Sequence, residues 1–151
     1  MKAISLWQPW ATLIAIGAKK YETRSWATPY RGPLLICASK GGIPKDELLD
    51  ILAEPEFRDV LTPALLNRAW PPVQPHHLPF GKALCVVDLV DCIRTGIMTP
   101  EQIGTDELFG DFSPGRFAWR LENVRAFKEP LSIRGKQGLF DVDDRIVQEA
   151  L

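Results

Sequence analysis

Two apolar segments, the second interrupted only by Asp88, constrain the fold of this chain most strongly. They are Pro33–Ala38 and Ala83–Val90, and apolar runs of this length bounded by glycine and proline are typical of buried strands. Shorter strand patterns occur at 3–6, 20–26, 117–121 and 139–142. Tight turns separate these segments, so the sequence predicts a sheet of several short strands.

Helical patterns lie between and beside these strands. Pro9 suits the first position of a helix whose apolar face contains Trp10, Leu13 and Ile14, and Gly17 suits its C-terminal end. Residues 44–68 have helical periodicity, and a short polar helix closes the chain. We therefore expect an α+β protein: a small, partly open β-barrel with flanking helices and a helical insertion around 44–68.

Composition narrows the class of protein. A chain of 151 residues with 46% hydrophobic and 25% charged residues fits one folded domain, 1–151. No apolar run approaches the roughly 18 residues of a membrane span, and the N-terminus does not resemble a signal peptide. Three cysteines without CxxC spacing, and two adjacent histidines, predict neither a metal site nor a disulfide framework. We expect a cytoplasmic protein without a cofactor or a membrane partner.

The net charge of −1 conceals two basic segments. Residues 1–40 contain six basic residues and one acidic residue, and residues 116–140 contain six basic and two acidic residues. If the fold brings these segments together, they form a positive surface suited to a polyanion. The alternative is that the charges lie on solvated strand edges, where they discourage aggregation.

The densest group of ionisable residues follows the first helix. Strand alternation from Lys20 to Trp26 places Lys20, Glu22 and Arg24 on one face, where mutual pairing keeps each of them charged. A carboxylate between two cations can orient a hydroxyl or an amine, and the cations can bind phosphate. The alternative is a surface ladder of ion pairs, worth about 0–1 kcal/mol each.

Aromatic residues surround this group. Trp7, Trp10, Trp26 and Tyr30 all lie within the basic first segment, and stacking of a base on an aromatic ring contributes about 1–3 kcal/mol. We expect Trp10 and Trp26 to be core residues and Trp7 to be the exposed stacking surface. Gln8 lies at the expected N-cap of the first helix, where its amide could read a base edge.

Further phosphate contacts are expected from both basic segments. Arg31 and Lys40 belong to the first, while Arg134 and Lys136 belong to a glycine-rich turn in the second. A flexible charged turn suits backbone phosphates, although the same composition also makes an ordinary hairpin loop.

The sequence resembles the ASCH domain family in three ordered motifs. These are ISLWQPWA at 4–11, GAKKYETRSW at 17–26 and YRGPLLICA at 30–38, with GKALCVVDLVDC at 81–92 as an extension. The similarity is greatest to the C-terminal module of the eukaryotic activating signal cointegrator and to small stand-alone bacterial and phage members. The resemblance implies a PUA-like fold and RNA or DNA binding, with Lys19, Glu22 and Arg24 at the cleft.

One branch of the same family removes the acetyl group from N4-acetylcytidine nucleosides. The resemblance to that branch implies that Lys19 matches its catalytic lysine. The residue three positions later is threonine in that branch and Glu22 here. A lysine beside a carboxylate can act as a general base or nucleophile, so Lys19 and Glu22 are the catalytic candidates of this alternative.

The leading hypothesis is a nucleic-acid-binding module that holds RNA or single-stranded DNA, with or without a modified base, in a basic cleft. The predicted binding residues are Trp7, Gln8, Lys19, Glu22, Arg24, Arg31, Lys40, Arg134 and Lys136. The alternative is a small amidohydrolase that acts on N4-acetylcytidine-type nucleosides. Ribonuclease activity has no separate sequence feature in its favour.

Overall fold

A computed structural model describes all residues of the chain, Met1–Leu151. The strands are β1 (Lys2–Leu6), β2 (Tyr21–Arg24), β3 (Gly32–Ala38), β4 (Lys82–Arg94), β5 (Phe117–Ser132) and β6 (Phe140–Asp141). The helices are α1 (Trp10–Ala15), α2 (Lys45–Ala53), α3 (Pro55–Leu66), α4 (Pro100–Ile103) and α5 (Asp144–Ala150). The expected α+β class and the helical insertion are therefore both present. No helix combines the length and the apolar character needed to cross a bilayer.

All six strands belong to one sheet in the order β2-β5-β4-β3-β1-β6. Only the β1–β3 pair is parallel, and the remaining pairs are antiparallel. The sheet is not closed into a barrel, because β2 and β6 form its two free edges. It is nevertheless curled. Arg24 in β2 donates from Nη2 to the Ser5 carbonyl in β1 over 3.1 Å, although three strands separate β2 from β1 in the sheet.

Residues of β3 show why the apolar runs lack alternation. Leu34 and Ile36 pack on one face of the sheet with Ile14 of α1, whereas Leu35 and Cys37 pack on the other face near Val147 of α5. Side chains of successive strand residues point to opposite faces, so a strand covered on both faces is apolar at every position.

The longest strands extend beyond their apolar cores. β4 has 13 residues and β5 has 16, and their pairing shifts register at three places. Val90 and Val124 lie at two of these shifts and are exposed. Extra residues at β-bulges interrupt side-chain alternation, which explains why the apolar pattern at 117–121 does not continue along β5.

A buried carboxylate positions the start of β2. Asp106 lies in the short 3₁₀ segment Gly104–Leu108 and is 2% exposed. Both its oxygens accept from the Lys20 N–H at 3.0 Å, and Oδ2 also accepts from the Tyr21 N–H at 2.9 Å. These bonds fix the chain just after Lys19 to a segment almost ninety residues away.

Asp106→Ala is expected to lower the free energy of unfolding by about 3 kcal/mol, because it leaves two backbone N–H groups unsatisfied in a buried environment. Urea denaturation followed by circular dichroism measures the loss. Asp59→Ala is the matched control, since Asp59 lies exposed on α3, and it should cost about 0.5 kcal/mol or less. Equal losses for the two variants would contradict the role given to Asp106.

Candidate functional site

The segment between β5 and β6 closes over a cavity of about 740 Å³, here called the loop cavity. Its wall carries four cations and two indoles: Arg24, Lys40, Arg134, Lys136, Trp7 and Trp26. No aspartate or glutamate lines it. The two basic segments of the sequence therefore meet in one concave surface. Of its four cations only Arg24 has an acidic partner, Glu22.

Glycine allows this segment to pass close to β1. A Cβ atom at Gly135 would lie 2.6 Å from Ser5 Oγ, which is closer than such contacts can be. The Ser5 hydroxyl is buried and has no hydrogen-bond partner. The absence of a side chain at Gly135 therefore lets Arg134 and Lys136 approach β1, which belongs to the first basic segment.

A second cavity of about 760 Å³ adjoins the first and is here called the Lys19 cavity. The two share Ser5, Trp7 and Arg24. Besides Arg24, the charged residues on its wall are Lys19, Glu22, Asp111 and Arg116. This cavity therefore mixes acids and cations, whereas the loop cavity contains cations alone.

The boundary between the cavities is an ion pair. Arg24 Nε donates to Glu22 Oε2 over 3.0 Å, and Arg24 Nη2 lies 2.9 Å from the same oxygen as an ion pair. Lys19 Nζ lies 4.0 Å from Glu22 Oε1 and donates to the Phe109 carbonyl over 2.9 Å. Lys19 and Glu22 are 2% and 9% exposed, so these charges are paired with one another rather than with bulk water.

Lys19, and not Lys20, completes this cluster. Gly17 has φ +82°, a left-handed conformation that ends α1 at low cost. After it, the N–H groups of Ala18 and Lys19 both donate to the Leu13 carbonyl, so the chain is still turning at Lys19. Strand alternation begins only at Tyr21, and the side chain of Lys20 is exposed.

Comparison of the chain with known proteins identifies the family to which it belongs. A model of the ASCH domain matches residues 4–131. This chain belongs to the ASCH domain family. It is 31% identical over 150 residues to "Activating signal cointegrator 1" of Mus musculus and of Homo sapiens. The alignments cover 97% of this chain but 23% of each relative, so the chain spans about a quarter of their length.

Solved structures share the fold. The crystal structure of ASCH from Zymomonas mobilis superposes with a TM-score of 0.59 at 13% identity, covering 98% of this chain and 91% of the other. A mutant form of the same protein gives a TM-score of 0.52, with 98% and 94% covered. At this identity the likeness concerns the fold, and the expected PUA-like architecture is confirmed.

Two predicted binding residues of this ASCH domain lie outside both cavities. Gln8 is 1% exposed; its Nε2 donates to the Pro79 carbonyl and its Oε1 accepts from the Thr12 N–H. Arg31 donates to the carbonyls of Thr28 and Tyr30 and faces Asp91 at 3.9 Å. The amide of Gln8 thus stabilises the first turn of α1, where Pro9 is the N-cap, and neither residue is part of the surface proposed below.

The tryptophans also depart from expectation. Trp26 was expected in the core, but it is 36% exposed and lines the loop cavity. Its ring meets the buried Trp119 edge-on at a centroid distance of 4.8 Å. Trp10, also expected in the core, is half-buried against Phe57 and lines the Lys19 cavity. Trp7 is 54% exposed. Two indoles, rather than one, therefore border the basic cavity.

Several site residues carry no signal in the sequence. Ser5 and Gly110 are unremarkable small residues, and Arg116 precedes a strand whose apolar residues dominate the pattern. Arg116 donates to the Thr23 carbonyl, and its buried Nε has no hydrogen-bond partner. Their placement depends on the antiparallel pairing of β2 with β5, a long-range contact that local periodicity does not encode.

Cys37 is the thiol nearest to this chemistry, since it lines the loop cavity. Burial raises the pKa of the Cys37 thiol to about 12. A thiol with this pKa is protonated at neutral pH and is a poor nucleophile. The cavity therefore supplies cations, hydroxyls and aromatic faces rather than a reactive cysteine.

Burial lowers the pKa of Lys19 below its ordinary value of 10.5, while the charges of Glu22 and Asp106 partly offset this effect. Glu22→Gln should lower the pKa of Lys19 further, because it removes the nearest compensating charge. Nuclear magnetic resonance titration of isotope-labelled lysine measures the change. Glu122→Gln, which removes the partner of Arg120 instead, should leave the Lys19 titration unaltered.

The lowered pKa of Lys19 also affects the free energy of unfolding. It does so in the pH range between the pKa of Lys19 in the folded protein and 10.5, its value in the unfolded chain. There the unfolded chain binds the additional proton, so the Lys19 contribution to the free energy of unfolding rises with pH. Lys19→Met should remove this rise. A pH dependence that is identical in the two proteins would contradict the burial of a titrating amine.

Proposed function

We propose that this ASCH domain binds single-stranded nucleic acid, with the sugar-phosphate backbone in the loop cavity. The observation that carries the proposal is the meeting of four cations and two indoles in a cavity without an acid. PUA-like folds are generally linked to RNA binding, and membership of the family agrees with this use of the surface.

The chemistry of the wall suits a nucleotide chain. Arginine and lysine bind phosphate oxygens, and exposed aromatic faces stack on bases without regard to sequence. Trp7 and Trp26 supply those faces, while Lys40, Arg134 and Lys136 supply charge at the same cavity. A volume of about 740 Å³ lies within the range of pockets that enclose small molecules, which favours unpaired nucleotides over a duplex.

The hydrolase alternative gains no support from these contacts. Lys19 Nζ already donates to the Phe109 carbonyl, and Glu22 Oε2 is occupied by Arg24. The threonine that the hydrolase branch carries three residues after its lysine is replaced by Glu22 in this chain. Binding is therefore the function we propose.

Removing two cations from the loop should flatten the salt dependence of binding. Each phosphate contact to a single strand contributes about 0.7 to the slope of log affinity against log salt, so Arg134→Ala with Lys136→Ala should reduce the slope by about 1.4. Fluorescence anisotropy with labelled RNA and DNA of equal sequence measures the slope and compares the two sugars.

The matched control is Arg94→Ala with Lys128→Ala, which removes the same charge from exposed residues outside both cavities. Its slope should stay close to that of the unaltered protein. An affinity that is independent of salt for the unaltered protein would refute phosphate binding in the loop cavity. Equal slopes for the two double variants would refute the placement.

Stacking on Trp7 predicts a second loss of binding affinity, which does not depend on salt concentration. Trp7→Ala should weaken binding by about 1–3 kcal/mol, the contribution of one stacked base. Trp70→Ala serves as control, because Trp70 is even more exposed at 67% and lines neither cavity. Isothermal titration calorimetry with one oligonucleotide compares the three proteins. A larger effect at Trp70 than at Trp7 would contradict the stacking role.

A further inference from the structure

The two cavities differ in charge although they share part of their walls. The charged residues that line the loop cavity are all cations, whereas the Lys19 cavity is lined by Glu22 and Asp111 together with its cations. A phosphate is attracted into the first and meets a carboxylate in the second. The Lys19 cavity therefore suits an uncharged polar group attached to a backbone that the loop cavity holds.

Glu22 presents one free acceptor to this second cavity. Its Oε2 accepts a hydrogen bond from Arg24 Nε at 3.0 Å and lies 2.9 Å from Arg24 Nη2. Its Oε1 accepts no hydrogen bond within the protein and lies 4.0 Å from Lys19 Nζ, beyond hydrogen-bonding distance. A ligand with N–H donors can reach an acceptor that is already oriented by the contact with Arg24.

Lys19 presents donors beside that acceptor. An ammonium group has three N–H donors, and one of them is used on the Phe109 carbonyl. No side chain at Gly110 obstructs this wall: a Cβ atom there would lie only 3.4 Å from Lys19 Nζ and 3.4 Å from Thr23 Oγ1. The cavity therefore offers a donor and an acceptor 4.0 Å apart.

We propose that the Lys19 cavity binds an unpaired guanine, an inference that rests on the nucleic-acid binding proposed above. On its Watson–Crick edge guanine carries a carbonyl acceptor, O6, followed by two donors, N1–H and the N2 amino group. O6 accepts from Lys19 Nζ, and both donors approach Glu22 Oε1. The order acceptor, donor, donor matches a wall on which an ammonium stands next to a carboxylate.

The other bases match this wall less well. Uracil and thymine flank N3–H with a carbonyl on each side, so one carbonyl oxygen faces the carboxylate. Adenine and cytosine offer a single amino group beside a ring acceptor and make one donor contact with Glu22 instead of two. Inosine keeps O6 and N1–H but lacks the N2 amino group, which isolates the contribution of the second donor.

The test uses RNA strands about eight nucleotides long, a length within the site sizes of single-strand binders. Each strand is uridine except for one central guanosine, inosine, adenosine, cytidine or uridine. Fluorescence anisotropy should give an affinity about tenfold higher for guanosine than for uridine, the discrimination expected of a paired contact. Inosine should lie between them, and the order should hold across salt concentrations.

Glu22→Gln should abolish the preference for guanosine, while Glu122→Gln, the loss of another arginine-paired glutamate, should retain it. Equal affinity of the unaltered protein for all five strands, or a higher affinity for another base, would refute the guanine assignment and leave nucleic-acid binding standing. Failure to bind any strand would refute the proposed function itself. These three outcomes need no variant, so misfolding of Glu22→Gln cannot obscure them.

Guanosine without phosphate locates the base. In a nuclear magnetic resonance titration, the nucleoside should shift the backbone amide of Gly110, which lines the Lys19 cavity. Inorganic phosphate should instead shift the amide of Gly138, which lines the loop cavity. If guanosine shifts the amide resonance of Gly138 and leaves that of Gly110 unchanged, the proposal that the base binds in the Lys19 cavity and phosphate in the loop cavity is refuted.

Discussion

Arg24, which pairs with Glu22 of its own strand, links two parts of the sheet that strand pairing leaves apart. Arg24 belongs to β2, at one edge of the sheet, and its guanidinium also donates to the Ser5 carbonyl of β1. Three strands separate β2 from β1, so a side chain provides the closure that backbone hydrogen bonds do not. Arg24 and Ser5 line both cavities, so this contact lies where the two cavities adjoin.

The ion pair between Arg24 and Glu22 is an inefficient source of folding stability. Removing two charges from water can cost more than their attraction returns, and apolar replacements of buried ion pairs are often neutral or stabilising. Here three ionisable side chains, Lys19, Glu22 and Arg24, meet at a wall shared with solvent-filled space. The cost is understandable if the charges are held for a ligand, since an oriented carboxylate and a fixed ammonium need no reorganisation when a base edge arrives.

Local pattern was sufficient wherever burial alone decides the structure. The alternating faces of Leu34, Leu35 and Ile36 and the helices of the insertion follow directly from apolar spacing. Which lysine joins Glu22 and Arg24 is not decided by local pattern. Because the chain turns after Gly17, Lys19 occupies the position that strand alternation predicts for Lys20. The carboxylate that holds this part of the chain, Asp106, is 86 residues beyond Lys20. Its segment contains no motif, so its contact could be found only from the fold.

The exposed indole at Trp26 illustrates the same limit. Tryptophan next to a strand is commonly a core residue, and the neighbouring Trp119 does occupy the core, fully buried. The two rings are in edge-on contact. Trp119 lies in the part of β5 that pairs with β2, whereas Trp26 lies beyond Arg24, the last paired residue of β2. That pairing also sets Arg116 beside the Lys19 cavity. The net charge of the chain is only −1, yet its charges are unevenly distributed over the surface. This distribution depends on strand order, because strand order brings separate basic segments to one surface and leaves the acidic helices elsewhere.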